Sequence, residues 1–300
     1  MTTRTGTAPV GEIGLHYEEF GDPEDPAVLL IMGLGAQMVF WRTEFCEKIA
    51  AAGYRVIRFD NRDCGLSDKL DGVRAGGDPL LVKMAKFFVG LPVKGSAYTL
   101  LDLANDAAGV LDHLNIDRAH IVGASMGGMI TQVFAAEHAD RTLTATVIMS
   151  SNNRRFLPPP GPRQLLALIS RPPSGREAAI ANSAKMSGII GSPVYPQTPE
   201  TARVRATEYY DRCNYPAGFA RQFAAILGSG QLVGYDKRIK APTLVLHGSH
   251  DKLMRPSGAH AIARTVPNAR LSMVGGMAHD IPEPLWDQII TELTEHFSTS

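Results

Sequence analysis

Ser125 sits in the run Gly123-Ala124-Ser125-Met126-Gly127, directly after the apolar stretch Ala119-His120-Ile121-Val122 and directly before a helix-like segment. A serine on such a G-x-S-x-G turn is held out as an exposed nucleophile at the end of a strand. The backbone must reverse so sharply there that side chains two residues away on either side would collide, hence glycine at 123 and 127. In a chain this rich in glycine, an ordinary strand-to-helix turn would read the same way, so the assignment rests on partners. A serine hydroxyl attacks well only when a base takes its proton, best a histidine whose other nitrogen is held by a carboxylate.

In open parallel sheets functional groups gather at the carboxyl ends of strands. After the predicted strand Thr243–His247 comes Gly248-Ser249-His250-Asp251-Lys252, and after the predicted strand Arg270–Val274 comes Gly275-Gly276-Met277-Ala278-His279-Asp280. The order Ser125, Asp251, His279 is nucleophile, acid, histidine, the order expected for a serine on this kind of turn. Alone, Asp251 would be a turn carboxylate and His279 a loop histidine. Three suitable residue types in the right order, each at the end of its own strand, point to a triad. His250 would have to bend back over the acid, and Asp280 diverges from its neighbour on an extended loop. A histidine base works only while neutral, so activity is expected to rise with pH through an apparent pKa of about 6–7.

Acyl transfer also needs N–H groups aimed at the developing oxyanion. The amide of Met126, at the start of the following helix, is one candidate. Leu34 supplies the other, because Gly33 and Gly35 let the loop after the strand Ala27–Met32 approach the site closely.

The elements that must hold these residues are visible in the hydrophobic pattern. Ile13–Phe20, Ala27–Met32 and Tyr54–Asp60 read as strands and Trp41–Ala52 as a helix ending at Gly53. Asn61 to about Ser96 is irregular. Thr99–Leu114 has Leu100, Leu103, Ala107, Val110, Leu111 and Leu114 on one face, with Thr99 and Asp102 placed for a capping box. A helix over Met126–Glu137 and a strand over Thr144–Met149 follow, the latter apolar enough for burial on both faces. From Arg154 to Lys240 only helix-like pieces appear between Pro and Gly breaks. Alternation resumes with Thr243–His247, a helix over Ser257–Thr265, Arg270–Val274 and a helix from about Leu285 to Phe297. The expected fold is α/β, with a mostly parallel sheet covered on both faces. Residues 1–151 and 241–300 form its core, and 152–240 an inserted helical cap.

At 300 residues, with 44% hydrophobic and 20% charged content, the chain reads as a soluble globular protein. Thirty basic residues balance thirty acidic ones and no basic block occurs, so nucleic acid is not an expected partner. The start lacks the apolar stretch of a secretory signal and no run is long enough to span a bilayer, which makes cytoplasmic the default location. Cys46, Cys64 and Cys213 suggest neither a disulfide framework nor a zinc site. His247, His250 and Asp251 lie close together but lack a fourth ligand, so no metal is expected.

The chain resembles the α/β-hydrolases over nearly its whole length outside the cap. The resemblance is carried by Met32-Gly33-Leu34, Asp60-Asn61-Arg62-Asp63-Cys64-Gly65-Leu66-Ser67, Gly123 to Gly128, Gly248-Ser249-His250-Asp251 with Pro256 behind it, and Gly276-Met277-Ala278-His279. It is most similar to aclacinomycin methylesterase-like hydrolases, in which Met-Gly replaces His-Gly before the oxyanion loop. The resemblance implies an eight-stranded sheet, the triad Ser125, Asp251 and His279, oxyanion amides from Leu34 and Met126, and no cofactor. It makes the Arg62-Asp63 segment architectural. Leu34 departs from the small residue often found there, which narrows the acyl pocket.

The expected reaction is carboxylic-ester hydrolysis through an acyl-enzyme, on a small-molecule, hydrophobic ester; the sequence leaves the oligomeric state, monomer or homodimer, open. Thioesterase or lipase, lactonase, C–C hydrolase and perhydrolase activities share the triad, and a non-catalytic sensor is a remote alternative. Tyr209, Tyr210, Tyr215, Phe219, Phe223 and Met186 make the cap apolar enough for a hydrophobic substrate. The apolar run Pro79–Val89, with Lys83 and Lys86, is expected to bury against the cap, with a lid helix or a lipid-facing patch as alternatives for 79–93.

Overall fold

The computed structural model describes residues 3–73, 76–170 and 173–300. Met1 and Thr2, where the N-terminal reading began, and Arg74-Ala75 of the irregular connection lie outside the described residues. Eight strands form one sheet: β1 (Arg4–Val10), β2 (Ile13–Phe20), β3 (Ala27–Ile31), β4 (Arg55–Phe59), β5 (Ala119–Ala124), β6 (Thr142–Ile148), β7 (Thr243–Gly248) and β8 (Arg270–Val274). Their order is β1-β2-β4-β3-β5-β6-β7-β8. β1 and β2 pair antiparallel, as do β2 and β4, and every later pairing is parallel.

The central strands are apolar on both faces, as a sheet covered by helices on each side requires. In β3, Leu29 and Ile31 face one core while Val28 and Leu30 face the other. The first core is closed by helices α3 (Leu100–His113) and α4 (Met126–Glu137), the second by α1 (Thr43–Ala51) and α11 (Trp286–Phe297). The remaining core helix, α10 (Pro256–Thr265), joins β7 to β8. Thr99 caps α3 as expected: its hydroxyl accepts from the Asp102 amide while the Asp102 carboxylate accepts from the Thr99 amide.

One strand was not read from the sequence, and one expectation changes. Arg4–Val10 is a strand, although its Thr, Gly, Ala and Pro show no apolar alternation. It is an edge strand held by backbone pairing to β2, where Pro9 is tolerated. The apolar run after Pro79 is also not buried. It forms helix α2 (Leu80–Phe88), which packs through Phe87 on the first core but leaves Leu81, Val82, Phe88 and Val89 exposed.

Between β6 and β7 run α5 (Pro162–Ile169), α6 (Arg176–Ile190), α7 (Pro199–Arg212), α8 (Pro216–Ser229) and the short α9 (Val233–Asp236). α8 is fastened to the loop after β4. Arg221 grips Asp63 with two hydrogen bonds, of 2.8 and 2.6 Å, and Asp63 also accepts from the Tyr98 hydroxyl and the Leu70 amide. A side chain at Gly218 would meet the Asp63 carbonyl oxygen at 1.9 Å, so the backbones touch there. Burial alone pushes the Asp63 carboxyl up, but Arg221, Leu70 and Tyr98 outweigh it and hold the group below its ordinary value.

Removing one partner of such a buried pair strands the other's charge. Arg221→Met is therefore expected to lower unfolding free energy by about 3–5 kcal/mol at neutral pH in urea titrations. Because the folded Asp63 value is depressed, the stabilisation is present above the unfolded carboxyl pKa of about 4. It is lost as pH falls through the lower folded value, so the gap between wild type and variant should close in acid. A gap that stays constant down to the acid limit would contradict this account.

Candidate active site

β3 and β5 are neighbours, yet the chain leaves β3 toward β4 on one side and later returns to β5 on the other. Ligands bind at such a switch point, outside the carboxyl ends of the strands. Ser125 lies at the end of β5 and the Gly33-Leu34-Gly35 loop at the end of β3, so the two candidates share this crevice.

Ser125 adopts φ 57° and ψ −119°, a left-handed conformation costing about 1–3 kcal/mol for a residue with a side chain. Its backbone is pinned on both sides. Its amide donates to the Ile148 carbonyl at 2.9 Å, and its carbonyl accepts from the Gly128 and Met129 amides and from the Ser150 hydroxyl. The flanking glycines have the role expected of them. A Cβ at Gly123 would lie 2.1 Å from the Gly127 carbonyl oxygen, and one at Gly127 would lie 2.0 Å from that of Ile31.

The structure brings Ser125, His279 and Asp251 together. His279 Nδ1 is 2.7 Å from Asp251 Oδ2, and His279 Nε2 is 3.0 Å from Ser125 Oγ. An ionised carboxylate can only accept, so Nδ1 carries the proton and Nε2 keeps a lone pair for the serine hydroxyl. Asp251 is 2% exposed, and its other oxygen accepts from the Leu253 and Met254 amides. The competing groups lie elsewhere. His250 bonds the Ser249 hydroxyl on the surface, and Asp280 accepts from the Ser192 hydroxyl. Burial lifts the Asp280 carboxyl above its ordinary value. His247 is fully buried behind Asp251, 3.6 Å from Oδ2, and burial lowers its pKa. Among the described residues no three His, Cys, Asp or Glu side chains are grouped to hold a metal ion.

The loop of Leu34 passes against the serine: a Cβ on Gly33 would stand 3.0 Å from Ser125 Cβ and 3.4 Å from Oγ. Asn61 holds the base of this loop through the Met32 carbonyl, and Gln222 of α8 accepts from the Gly35 amide at 2.7 Å. Tyr209 of α7 donates to the Gly35 carbonyl, and Phe219 covers Gly35. Neither the Leu34 nor the Met126 amide donates a hydrogen bond among the described residues. Helix α4 begins at Met126, which adds its positive end to the same spot.

Several positioning residues were not read from the sequence. The His279 amide donates to the carbonyl of Ile190, at the end of α6, and the Ala278 amide to Ser192 Oγ. Gln222, Ile190 and Ser192 stand in pieces of sequence with no motif, and Tyr209, read only as part of an apolar cap, uses its hydroxyl on Gly35. Only the fold, which brings them from far along the chain, shows what they touch. Arg62 and Asp63 fit the architectural reading: Arg62 forms a fork with Asp106 at 2.6 and 2.5 Å, and Asp63 takes Arg221.

A family profile described as alpha/beta hydrolase fold matches residues 26–283. A rhodomycin D methylesterase of Streptomyces peucetius is 26% identical over 311 residues, covering 95% of this chain and 95% of that protein. A 2-hydroxy-6-oxononadienedioate/2-hydroxy-6-oxononatrienedioate hydrolase of Burkholderia vietnamiensis is 28% identical, over 89% of this chain and 85% of its own. Among solved structures, an enol-lactonase from Burkholderia xenovorans superimposes with a TM-score of 0.74 at 22% identity, covering 98% and 100% of the two chains.

Gly123→Ala should force the elbow apart and lower stability by roughly 1–3 kcal/mol in chemical denaturation. Gly234→Ala, in α9 with nothing within 4 Å of the new methyl, should stay within about 0.5 kcal/mol of wild type. Equal effects of the two substitutions would refute the steric reading of the elbow.

Proposed function

The chain belongs to the alpha/beta hydrolase fold family, and from that premise we propose that it is a serine hydrolase of carboxylic esters. The observation that carries the proposal is the unbroken hydrogen-bonded line from Ser125 Oγ through His279 to Asp251. Ser125 Oγ attacks the ester carbonyl carbon while His279 Nε2 takes the hydroxyl proton. The oxyanion that forms accepts from the Leu34 and Met126 amides. As the tetrahedral intermediate collapses, the C–O bond breaks and His279 gives its proton to the departing alcohol. Water, deprotonated by the same nitrogen, then releases the acid. Asp251 keeps the imidazole in the reactive tautomer and stabilises its charged form.

The substrate we propose is hydrophobic. Leu34, Met129, Phe223 and Ile226 belong to one apolar cluster with Met126, the residue after the serine, and α8 provides two of them. Residues 152–240 then act as a cap over a core made of 1–151 and 241–300, and the cap shapes the acyl and alcohol subsites. The similarity to a methylesterase supports a methyl or other small alkyl ester. A second reading, hydrolysis of a 2-hydroxy-6-oxo-dienedioate, is favoured by the relative named for that activity.

A fluorophosphonate probe should label the wild type and not Ser125→Ala, and p-nitrophenyl or methyl ester turnover should fall by roughly 10⁵-fold or more. Asp251→Asn should retain the fold and lose about 10⁴-fold in kcat, since the amide favours the wrong imidazole tautomer. Labelling that survives Ser125→Ala would remove this serine as nucleophile. Turnover of the dienedioate with no turnover of any ester would select the second reading.

A further inference from the structure

Helix α2 turns much of its apolar surface outward. Lys83 is turned inward and only 5% exposed, with its ammonium donating to the Gly76 carbonyl at 2.5 Å. Leu81, at 70% exposure, faces solvent together with Val82, Phe88 and Val89. Of the fifteen large apolar side chains exposed among the described residues, six fall within residues 80–91. Exposed apolar side chains scattered singly need no explanation, but a cluster of this kind marks an interaction surface. Phe156, 62% exposed, extends it: its ring meets that of Phe88 edge-on at 5.8 Å, and its amide donates to the Phe88 carbonyl.

An open groove of about 450 Å³ adjoins this ridge and is lined by Arg154, Arg155, Lys237 and Arg264. The two features are continuous. A Cβ on Gly90, just past α2, would lie 3.4 Å from that of Arg155, and the Arg155 guanidinium stands 5.8 Å from the Phe156 ring. None of these four cations forms an ion pair among the described residues, whereas the neighbouring Arg238 is matched by Glu137. In a chain whose formal charges cancel, this is a local excess of positive charge beside an apolar ridge.

We infer that this face docks on an anionic phospholipid bilayer. Leu81, Phe88 and Phe156 enter the border of the hydrocarbon, while Arg154, Arg155, Lys237 and Arg264 meet lipid phosphates. Charge complementarity selects this occupant. A bilayer surface offers acyl chains and phosphates side by side, as the ridge and groove do. A second copy of the chain related by a two-fold axis would instead bring the same cations toward one another. No helix among the described residues is long and apolar enough to cross a membrane, so this attachment is peripheral.

The test is sedimentation of the full chain with vesicles of phosphatidylcholine alone or mixed with phosphatidylglycerol, with no ester present. Binding to the anionic vesicles should be at least tenfold tighter and should weaken at high salt. Leu81→Ser/Phe88→Ser should bind about tenfold more weakly to the anionic vesicles. Arg155→Glu/Arg264→Glu should lose the preference for them, at roughly fivefold per cation. Unchanged unfolding midpoints and unchanged turnover of a soluble ester would separate lost docking from misfolding. The inference is overturned if neither vesicle is bound, or if both double variants bind as wild type does. It is equally overturned if Leu81→Ser/Phe88→Ser disperses a dimer, or if poly-glutamate is bound in place of the vesicles.

Discussion

The left-handed backbone of Ser125 is the constraint around which the carboxyl end of the sheet is arranged. A residue with a Cβ does not rest there unaided, and the surroundings hold it from several directions. Ile148 from β6 fixes its amide, Ser150 its carbonyl, and the turn of α4 completes the clamp. The same reversal accounts for Gly123 and Gly127, which lie against carbonyl oxygens, and for the close passage of Gly33. The conformation that lifts the hydroxyl toward His279 also ends β5 and starts α4, so the serine hydroxyl, the helix start and the Met126 amide are set by one turn of the chain.

The second organising force is charge buried in pairs that join the inserted helices to the sheet. Arg221 reaches Asp63, and Arg212 reaches Asp60 at 2.8 Å while also bonding Gln37. Asp60 in turn accepts from the Met38 and Leu66 amides on two different loops. The bidentate Arg221 fork is directional, so it sets the orientation of α8 as well as its proximity, while Arg212 divides its guanidinium between Asp60 and Gln37. Through Gln222 and Tyr209 the same helices grip Gly35. The loop that passes Ser125 is therefore held jointly by α7, α8 and the loop after β4.

The sheet was legible in the sequence from β2 onward because β3, β5, β6 and β7 are apolar or β-branched runs and most strands end at Gly, Asp or Pro, and the α3 cap because Thr99 and Asp102 stand at the required spacing. Ser125, Asp251 and His279 could be picked out because each follows a recognisable strand. What escaped had no local signature. β1 draws its order from hydrogen bonds to β2, with little side-chain burial. The burial expected for α2 followed from its composition, but its spacing puts Leu81, Val82 and Phe88 on the outer face, and Lys83 shares the inner face with Phe87. Ile190 contributes only a carbonyl, which any residue could supply, and Ser192 is one serine among many. Their contacts to the histidine loop come from chain folding across almost ninety positions.

The bond from the His279 amide to the Ile190 carbonyl bears on how such proteins can be recombined. A segment inserted between two strands invites exchange as a module, to be swapped with another sequence for a different specificity. Here the module's own backbone holds the histidine loop, and Ser192 ties down the adjacent residue. A transplanted segment would have to present a carbonyl and a hydroxyl at the same two points or leave that loop untethered. Diversification on this scaffold is thus freer in α5 and the outer faces of α6 and α7 than at residues 190–192, which stay with the sheet in any workable chimera.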